Sequence, residues 1–353
     1  MKINAKILVC YNSPVSIFSI YNGKPDNAGV ASNDLSETGF SKEIKKIINS
    51  LKENYTDVKA IQVDRDVIKT IKSINKFLPD AIFNFVESVE GVASFEYCMA
   101  GIYPLLDVHY TGNVPSCLGN CLNKERTKNI LRAVGVKTPA SQIIKVDEKL
   151  NPRSFNLNFP VILKLLNEDA SIGISEYSVV NNFKELKNQL DFLHKTYTQE
   201  ILAEEYIDGR ELNIAILGET PLPISEIKFS GLPKDLPKIV TYDGKWIEDS
   251  VYYNNTNPQC PAKLNMRLKK KVEETAILAF NAMNCRDYAR VDIRVSKKGV
   301  PYVIEVNPNP DISTDSGFAR AATAAGLSYP DLLRTITGFA LARKQNDSQV
   351  KAS

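Results

Sequence analysis

The sequence predicts a multidomain chain that mixes α/β and α+β parts. Three observations lead there. Strands and amphipathic helices alternate over roughly the first 120 residues, as in a parallel sheet with helical crossovers. A middle stretch, 121–210, places an apolar strand among short helices. A C-terminal stretch, 211–343, ends in two β-branched runs around a turn. At 353 residues the chain exceeds what one small core organises, and about two or three domains are expected.

The elements follow in order. "KILVC" (6–10) reads as a buried strand. In "GFSKEIKKIINSLKENY", Ile44, Ile47, Ile48 and Leu51 form one apolar helical stripe. "VKAIQV" (58–63), a helix around Val67–Phe77 and "AIFNF" (81–85) continue the alternation. "HYTGNVPSCLGN" (109–120) is rich in turn formers and reads as a boundary. "NKERTKNILRAVG" is a short helix stopped at Gly135. "FPVILKLL" (159–166) is a strand interrupted only by Lys164, and "NEDASIGISE" (167–176) is a loop of small residues. A helix near 182–195 leads to the strands "EILAEEY" (200–206) and "ELNIAILG" (211–218). Residues 228–264 carry Pro233, Pro237, Pro258 and Pro261 and little periodicity. Such segments are usually lids or binding loops, and the lid is placed at about 228–258. "RLKKKVEETAILAFNAM" is a helix facing inward through Leu268, Val272, Ala276, Ala279 and Met283. A final helix runs from Pro330 to about Arg343, and residues 344–353 are expected to be disordered.

Composition excludes several classes. Hydrophobic residues make up 43%, charged residues 24%, and the net charge is +3. Nothing there calls for nucleic acid or an anionic membrane as partner. No apolar run reaches the roughly 18 residues of a membrane span. The N-terminus starts a strand at once without a signal-peptide pattern, and scattered thiols fit a reducing compartment, so a cytoplasmic protein is expected. Cys10, Cys98 and Cys285 sit in apolar sequence settings and read as small buried hydrophobes. Cys117 and Cys121 stand four apart, but a metal there would need two further soft ligands, so zinc is not expected. Only His109 and His194 are present, which argues against histidine acid–base chemistry.

The runs "YARVDIRV" (288–295) and "PYVIEVN" (301–307) flank the turn signal "SKKG". Parity puts Arg290 and Asp292 on one face of the first run, and Glu305 and Asn307 on one face of the second. A two-residue turn sets Asp292 opposite Glu305 and Arg290 opposite Asn307. A four-residue loop sets Arg290 opposite Glu305. An odd loop would split the group. Two facing carboxylates repel, and a divalent cation removes the repulsion; Asp, Glu and an Asn carbonyl are the hard oxygens that Mg²⁺ takes. The reading competing with this is a solvated edge hairpin carrying a surface ion pair. Lys164, set among apolar residues, asks for an anion such as a nucleotide phosphate, and the loop behind it could add backbone N–H groups. A strand-edge lysine that snorkels is the plain alternative. No P-loop or Rossmann glycine pattern is present.

The pieces "YTG", "NKERTKNILRAVGVKTP", "FPVILK" with "ASIGIS", "EEYIDGRELNIAILG", "ISEI", "CPAKL", "YARVDIRV" and "EVNPNP" occur in one order. In that order, over nearly the whole chain, the sequence resembles the D-alanine–D-alanine ligase branch of the bacterial ATP-grasp enzymes. The resemblance implies an ATP-grasp fold behind an N-terminal α/β domain. It implies an ATP-dependent ligase that joins a carboxylate to an amine through an acyl phosphate. ATP and two Mg²⁺ are implied, with Mn²⁺ as a permitted substitute. The partners are then small molecules, amino acids among them, and a homodimer is admitted. By the resemblance, Lys124 and Lys164 reach ATP phosphates, with Ser171 in the loop over them. Glu204, Glu205, Tyr206 and Ile207 form the adenine hinge, with the backbone of Glu205 and Ile207 reading the base. Glu211 holds the ribose, and Lys245 closes from the lid. Asp292, Glu305 and Asn307 hold the metal, and Arg290 steadies the transferring phosphoryl group.

The substrate side departs from the family pattern. Glu37 takes the place of the family's first-substrate glutamate. The family links that glutamate through a loop serine to a lid tyrosine, where this chain has Ala170 and Trp246, so the side-chain link is lost. Asn84 stands for a histidine, and Asp311 for a glycine in "EVNPNPDIS". Ser316 keeps the place of the serine that binds the second carboxylate. The expectation from these departures is an amide-forming ligase whose substrates are not two D-alanines. The family's own activity is the alternative, and a non-catalytic ATP-binding protein a remote third.

Overall fold

The computed structural model describes residues 1–25 and 34–352, without the side chains of 37–42, 348 and 350–352. The first part runs β1 (Ile3–Asn12), α1 (Leu35–Asn54), β2 (Tyr55–Val63), α2 (Val67–Phe77), β3 (Ala81–Phe85) and α3 (Phe95–Leu105). The strands form a parallel sheet in the order β2-β1-β3, as the alternation predicts. The stripe on α1 is real: Ile44, Ile47 and Leu51 are buried. A fully buried aliphatic side chain contributes about 1.5–3 kcal/mol.

The stretch 109–120, read from its turn formers as a boundary, contains the start of a helix. Residues 109–114 are a connection, but Pro115–Leu122 form helix α4, with Pro115 at its first turn, where a missing N–H costs nothing. Cys117, Leu118, Cys121 and Leu122 bury its inner side. Two of them, Cys117 and Cys121, join the core of the C-terminal part. Next come α5 (Lys124–Ala133), β4 (Ser141–Ile144), β5 (Val161–Leu165), β6 (Val179–Val180), α6 (Phe183–Tyr197) and β7 (Ile201–Glu205). Asn123 caps α5 by accepting from Arg126 N at 2.8 Å. The strands pair antiparallel in the order β4-β7-β5-β6.

The C-terminal part contains β8 (Gly209–Leu217), β9 (Thr220–Pro221), β10 (Ser225–Lys228), α7 (Tyr242–Trp246), α8 (Val251–Asn255), β11 (Asn257–Gln259), α9 (Met266–Ala282), β12 (Tyr288–Ser296), β13 (Pro301–Asn307), α10 (Gly317–Ala324) and α11 (Tyr329–Ala352). Its sheet has the order β11-β10-β8-β12-β13, with β9 on β8. The lid segment is less irregular than its composition suggests. Thr241 and Ser250 cap the short helices α7 and α8 inside it.

Among the described residues, the stretch expected as a disordered tail is helical. Helix α11 continues to Ala352, held by Lys344 Nζ on Asp80 Oδ1 at 2.5 Å and by His109 Nε2 against Asp347 Oδ2 at 3.5 Å. Both partners lie in the N-terminal part, out of view of a local reading. No helix among the described residues is long and apolar enough to cross a membrane.

Candidate active site

The hairpin settles its own register in an unexpected way. The loop is odd: Ser296 N donates to Val300 O at 2.9 Å, and Val295 pairs with Pro301, which leaves Lys297, Lys298 and Gly299 at the tip. Gly299 has φ +70°, the left-handed position this loop requires. An odd loop should split the four polar groups. A β-bulge between Asp292 and Ile293 restores them: Ile293 pairs with Val303, yet Asp292 pairs with Glu305 and Arg290 with Asn307. Ile304 is the extra residue, so Val303 and Val306 are both buried while Glu305 and Asn307 share the other face.

Asp292 is buried and oriented by three side chains. It accepts from Arg290 Nε at 2.8 Å and Nη2 at 2.9 Å, from Asn213 Nδ2 at 2.7 Å and from Asn307 Nδ2 at 3.0 Å. Burial alone would raise its pKa, but Arg290 outweighs that and holds the carboxyl below its usual range. Glu305 goes the other way: burial pushes it up, nearby Asp169 and Asp292 add to the push, and Lys124 opposes it. This donor set fits a divalent cation. Asn307 presents its amide N–H to Asp292, so its carbonyl oxygen is the end left for a metal.

The cations converge on this pair from three elements. Lys124, at the start of α5, lies 3.7 Å from Glu305 Oε1 and 3.3 Å from Asp169 Oδ1, and it donates to the Glu168 carbonyl. Burial lowers its pKa, but Asp169 and Glu305 more than offset this and raise it. Lys245 on α7 is pushed down by burial and by Arg290, and drawn up by Glu305, Asp292 and Glu211, so its charge is felt by the hairpin groups. Lys164 on β5 meets Glu204 Oε2 at 2.9 Å. Lys128, which sequence reasoning missed, meets Glu204 Oε1 at 3.0 Å. Burial would raise Glu204, but Lys128 and Lys164 hold it at about 2. Two ammoniums share one carboxylate here, which leaves this end of the cleft with an excess positive charge.

The remaining expected residues divide. Glu211 is buried and accepts from Arg294 Nη1 at 3.0 Å; Arg294 also stacks on Tyr206, its Cζ 5.1 Å from the ring centre. Arg294 and Asn213 carried no sequence signal apart from their strand parity. Glu205 N–H donates to the Ala140 carbonyl at 2.9 Å, so that N–H is not open to a ligand. Ile207 follows β7 in the same connection. Ala170 and Ser171 both have positive φ, and Ser171 Oγ donates to Val240 O at 3.1 Å, tying the small-residue loop to the lid segment. Trp246 Nε1 donates to the Ala170 carbonyl at 3.1 Å. A lid-to-loop link therefore does form, through a backbone oxygen that needs no hydroxyl.

Asn84 is not on the cleft. It is buried in the N-terminal core, its Oδ1 accepting from Tyr103 OH at 3.1 Å, because every residue of β3 is enclosed. Asp311 is exposed and turns its Oδ1 to Ser313 N at 2.8 Å and Ser313 Oγ at 2.7 Å, though Arg290 still senses its charge. Ser316 caps α10 by accepting from Ala319 N at 3.1 Å. Glu37 lies on α1, with its side chain outside the described residues.

A parallel-sheet domain followed by two antiparallel sheets, with lysines of one facing a carboxylate hairpin of the other, is the plan of the ATP-grasp ligases. The crystal structure of Bacillus anthracis D-alanine–D-alanine ligase complexed with ATP superposes with a TM-score of 0.74 over 97% of this chain and 99% of that one, at 23% identity. The enzyme from Coxiella burnetii superposes at 0.69 over 99% and 97%, at 17% identity. Residues 130–337 match the family model described as the D-ala D-ala ligase C-terminus. The D-alanine–D-alanine ligase of Hydrogenovibrio crunogenus is 30% identical over 245 residues, 68% of this chain and 73% of that protein. An uncharacterized protein y4sG of Sinorhizobium fredii is 30% identical over 302 residues, 83% and 86% of the two chains. The chain belongs to the D-alanine–D-alanine ligase family and is an ATP-grasp ligase.

Proposed function

We propose that this ligase joins the carboxylate of one amino acid to the amine of another, with D-alanine in both places. One observation carries the chemistry: Lys124, Lys245 and Arg290 converge on the Asp292–Glu305 pair. Phosphoryl transfer needs positioned cations more than a special nucleophile, and this cleft is built of them. In the proposed reaction a substrate carboxylate oxygen attacks the γ-phosphorus of ATP and ADP leaves. The amine then attacks the acyl carbon, phosphate leaves with the C–O bonding pair, and the amine gives up a proton. Lys124 and Lys164 hold phosphates, with Ser171 fixing the loop above them. Glu204 orders Lys128 and Lys164. Tyr206, Ile207 and the Glu205 carbonyl face the base, and Glu211 faces the ribose. Lys245 arrives with the lid. Asp292, Glu305 and Asn307 would hold Mg²⁺, which when bound neutralises phosphate charge. Arg290 steadies the developing charge between hairpin and substrate, and Ser316 stands by the second carboxylate.

The D-alanine pair is favoured by the family and by the named activity of the Hydrogenovibrio relative. The structure also weakens two reasons for expecting other substrates: Trp246 finds the Ala170 carbonyl, and Asp311 is turned to Ser313. A different carboxylate–amine pair is the second reading. It rests on the missing hydroxyl at Ala170 and on the Asp311 charge sensed by Arg290. The test is to incubate the protein with ATP, Mg²⁺ and D-alanine, and to measure dipeptide and ADP. Turnover at roughly 1 per second or faster is expected. A trace rate, alongside faster ADP release with another amino-acid pair, would select the second reading.

A further inference from the structure

Three thiols that the ligase chemistry does not use meet behind the hairpin. Cys117 and Cys121 are one turn apart on α4, and Cys285 follows α9 just before β12. The three sulfurs lie within 4.8 Å of one another, with Cys117 and Cys285 Sγ 3.5 Å apart. All six cysteines are free thiols, but they differ in setting: Cys10 is buried beside Tyr103, its pKa pushed up by burial to about 12, and Cys98 is exposed rather than buried as its sequence suggests. Sequence spacing showed a pair; the fold supplies the third sulfur across 164 residues of chain from Cys121 to Cys285.

We propose that Cys117, Cys121 and Cys285 form a three-thiolate site for a soft d¹⁰ metal ion, copper(I). The spacing suits it. Sulfurs bound about 2.3 Å from a common ion stand roughly 3.8–4.0 Å apart, inside the limits seen here. The cluster has no fourth His, Cys, Asp or Glu ligand among the described residues. Structural zinc takes four ligands, whereas soft thiolates select copper(I), which is satisfied by three. Arg286 adjoins Cys285 in the sequence and is fixed by Arg286 N to Asn113 Oδ1 and Arg286 Nε to Gly112 O, each at 2.7 Å. Binding releases the three thiol protons and clamps α4 to the start of β12. The same Asn113 donates to Tyr288 O at 2.9 Å and to Pro308 O at 2.5 Å, so the clamp stiffens both strands under Arg290 and Asn307.

The experiment uses the full-length, reduced protein without oxygen, in excess Mg²⁺ so that the carboxylate pair is occupied. Copper(I) is titrated against a competing chelator, and the ultraviolet thiolate-to-metal charge-transfer band is followed. One ion per chain is expected. Cys285→Ser and Cys117→Ser should each weaken binding by more than about 100-fold, while Cys98→Ser leaves it unchanged. Alkylation of the wild-type protein gives a reading that does not depend on the variants folding: one copper(I) should protect three of the six thiols. No charge-transfer band, unchanged affinity in Cys285→Ser, or the same thiol reactivity with and without copper(I) would overturn the site. Zinc binding at one equivalent and more tightly than copper(I) would overturn the three-coordinate assignment, and a Cys117–Cys285 disulfide in place of metal would overturn both.

Discussion

Asp292 shows how one residue can be legible in type and hidden in partners. Its parity with Arg290 follows from alternation along one strand, whereas its place opposite Glu305 is one of two registers that alternation leaves open and is set by the bulge at Ile304. Its bond to Asn213 does not follow from alternation, because β8 and β12 are joined by pairing across some eighty residues. Lys128 was missed for a related reason: on α5 it reads as a polar helix position, and only the approach of Glu204 on β7 gives it meaning. Asn84 shows the opposite error, a motif position whose side chain turns into the core. The metal assignment is tested at this scale. Asp292→Asn and Glu305→Gln preserve shape and remove one charge each. Each should lower Mg²⁺-dependent ADP release by at least about 100-fold, with the circular dichroism spectrum unchanged. Wild-type release in both variants would refute the role given to the pair.

At the scale of elements, the strands and long helices were readable because their periodicity is strong: α1 and α9 fall where their apolar stripes place them, and α6 near the expected 182–195. The hairpin loop was not readable, since its length and the bulge at Ile304 are set jointly by Gly299 and by the need to bury Val303 and Val306 together. Nor was the short lid helix α7, which depends on its Thr241 cap and on packing with the N-terminal segment. Lys24 bridges Asp243 at 2.7 Å and Glu176 at 3.1 Å, and Leu35 N donates to Tyr242 OH at 2.8 Å. Gly23 permits that approach, because a Cβ there would stand 2.2 Å from the Gly173 carbonyl oxygen. The lid is then latched to the loop by Trp246. Trp246→Phe keeps an aromatic ring and removes the N–H bonded to Ala170 O. One neutral hydrogen bond is worth about 0.5–1.5 kcal/mol, so kcat/KM for ATP should fall about 2- to 10-fold without a change in melting temperature. A Phe variant equal to wild type, beside a slow Ala variant, would show that ring packing alone matters.

The whole molecule depends on contacts that no window of sequence displays. Asp287 joins three parts of the chain. Its carboxylate accepts from Arg343 of α11 at 2.6 and 2.8 Å and from Gly112 N at 2.9 Å, and its carbonyl accepts from Gly218 N at 2.7 Å. Arg343 also donates to Tyr110 O at 2.8 Å. The N-terminal domain, the C-terminal sheet and the last helix thus meet at one buried carboxylate. This explains why α11 stays ordered past Arg343, where polar composition pointed to disorder, and why one apolar cluster runs from Ile7 and Ile47 through Tyr288 to Leu333 and Ile336. Asp287 has φ +61°, a left-handed conformation that Asn tolerates and Ala does not. Asp287→Asn therefore isolates the charge. Removing one partner of a buried pair strands the other, at a cost of about 3–5 kcal/mol. Chemical denaturation should show a loss near the lower end of that range, because Arg343 is partly exposed. Arg343→Met should lose less than the sum when combined with Asp287→Asn, since both act on one pair. Lys344→Ala, whose ion pair with Asp80 is more exposed, should cost less than about 1 kcal/mol. Equal denaturation midpoints for Asp287→Asn and Lys344→Ala would mean that the domains are held by apolar packing alone and that Asp287 is not the junction.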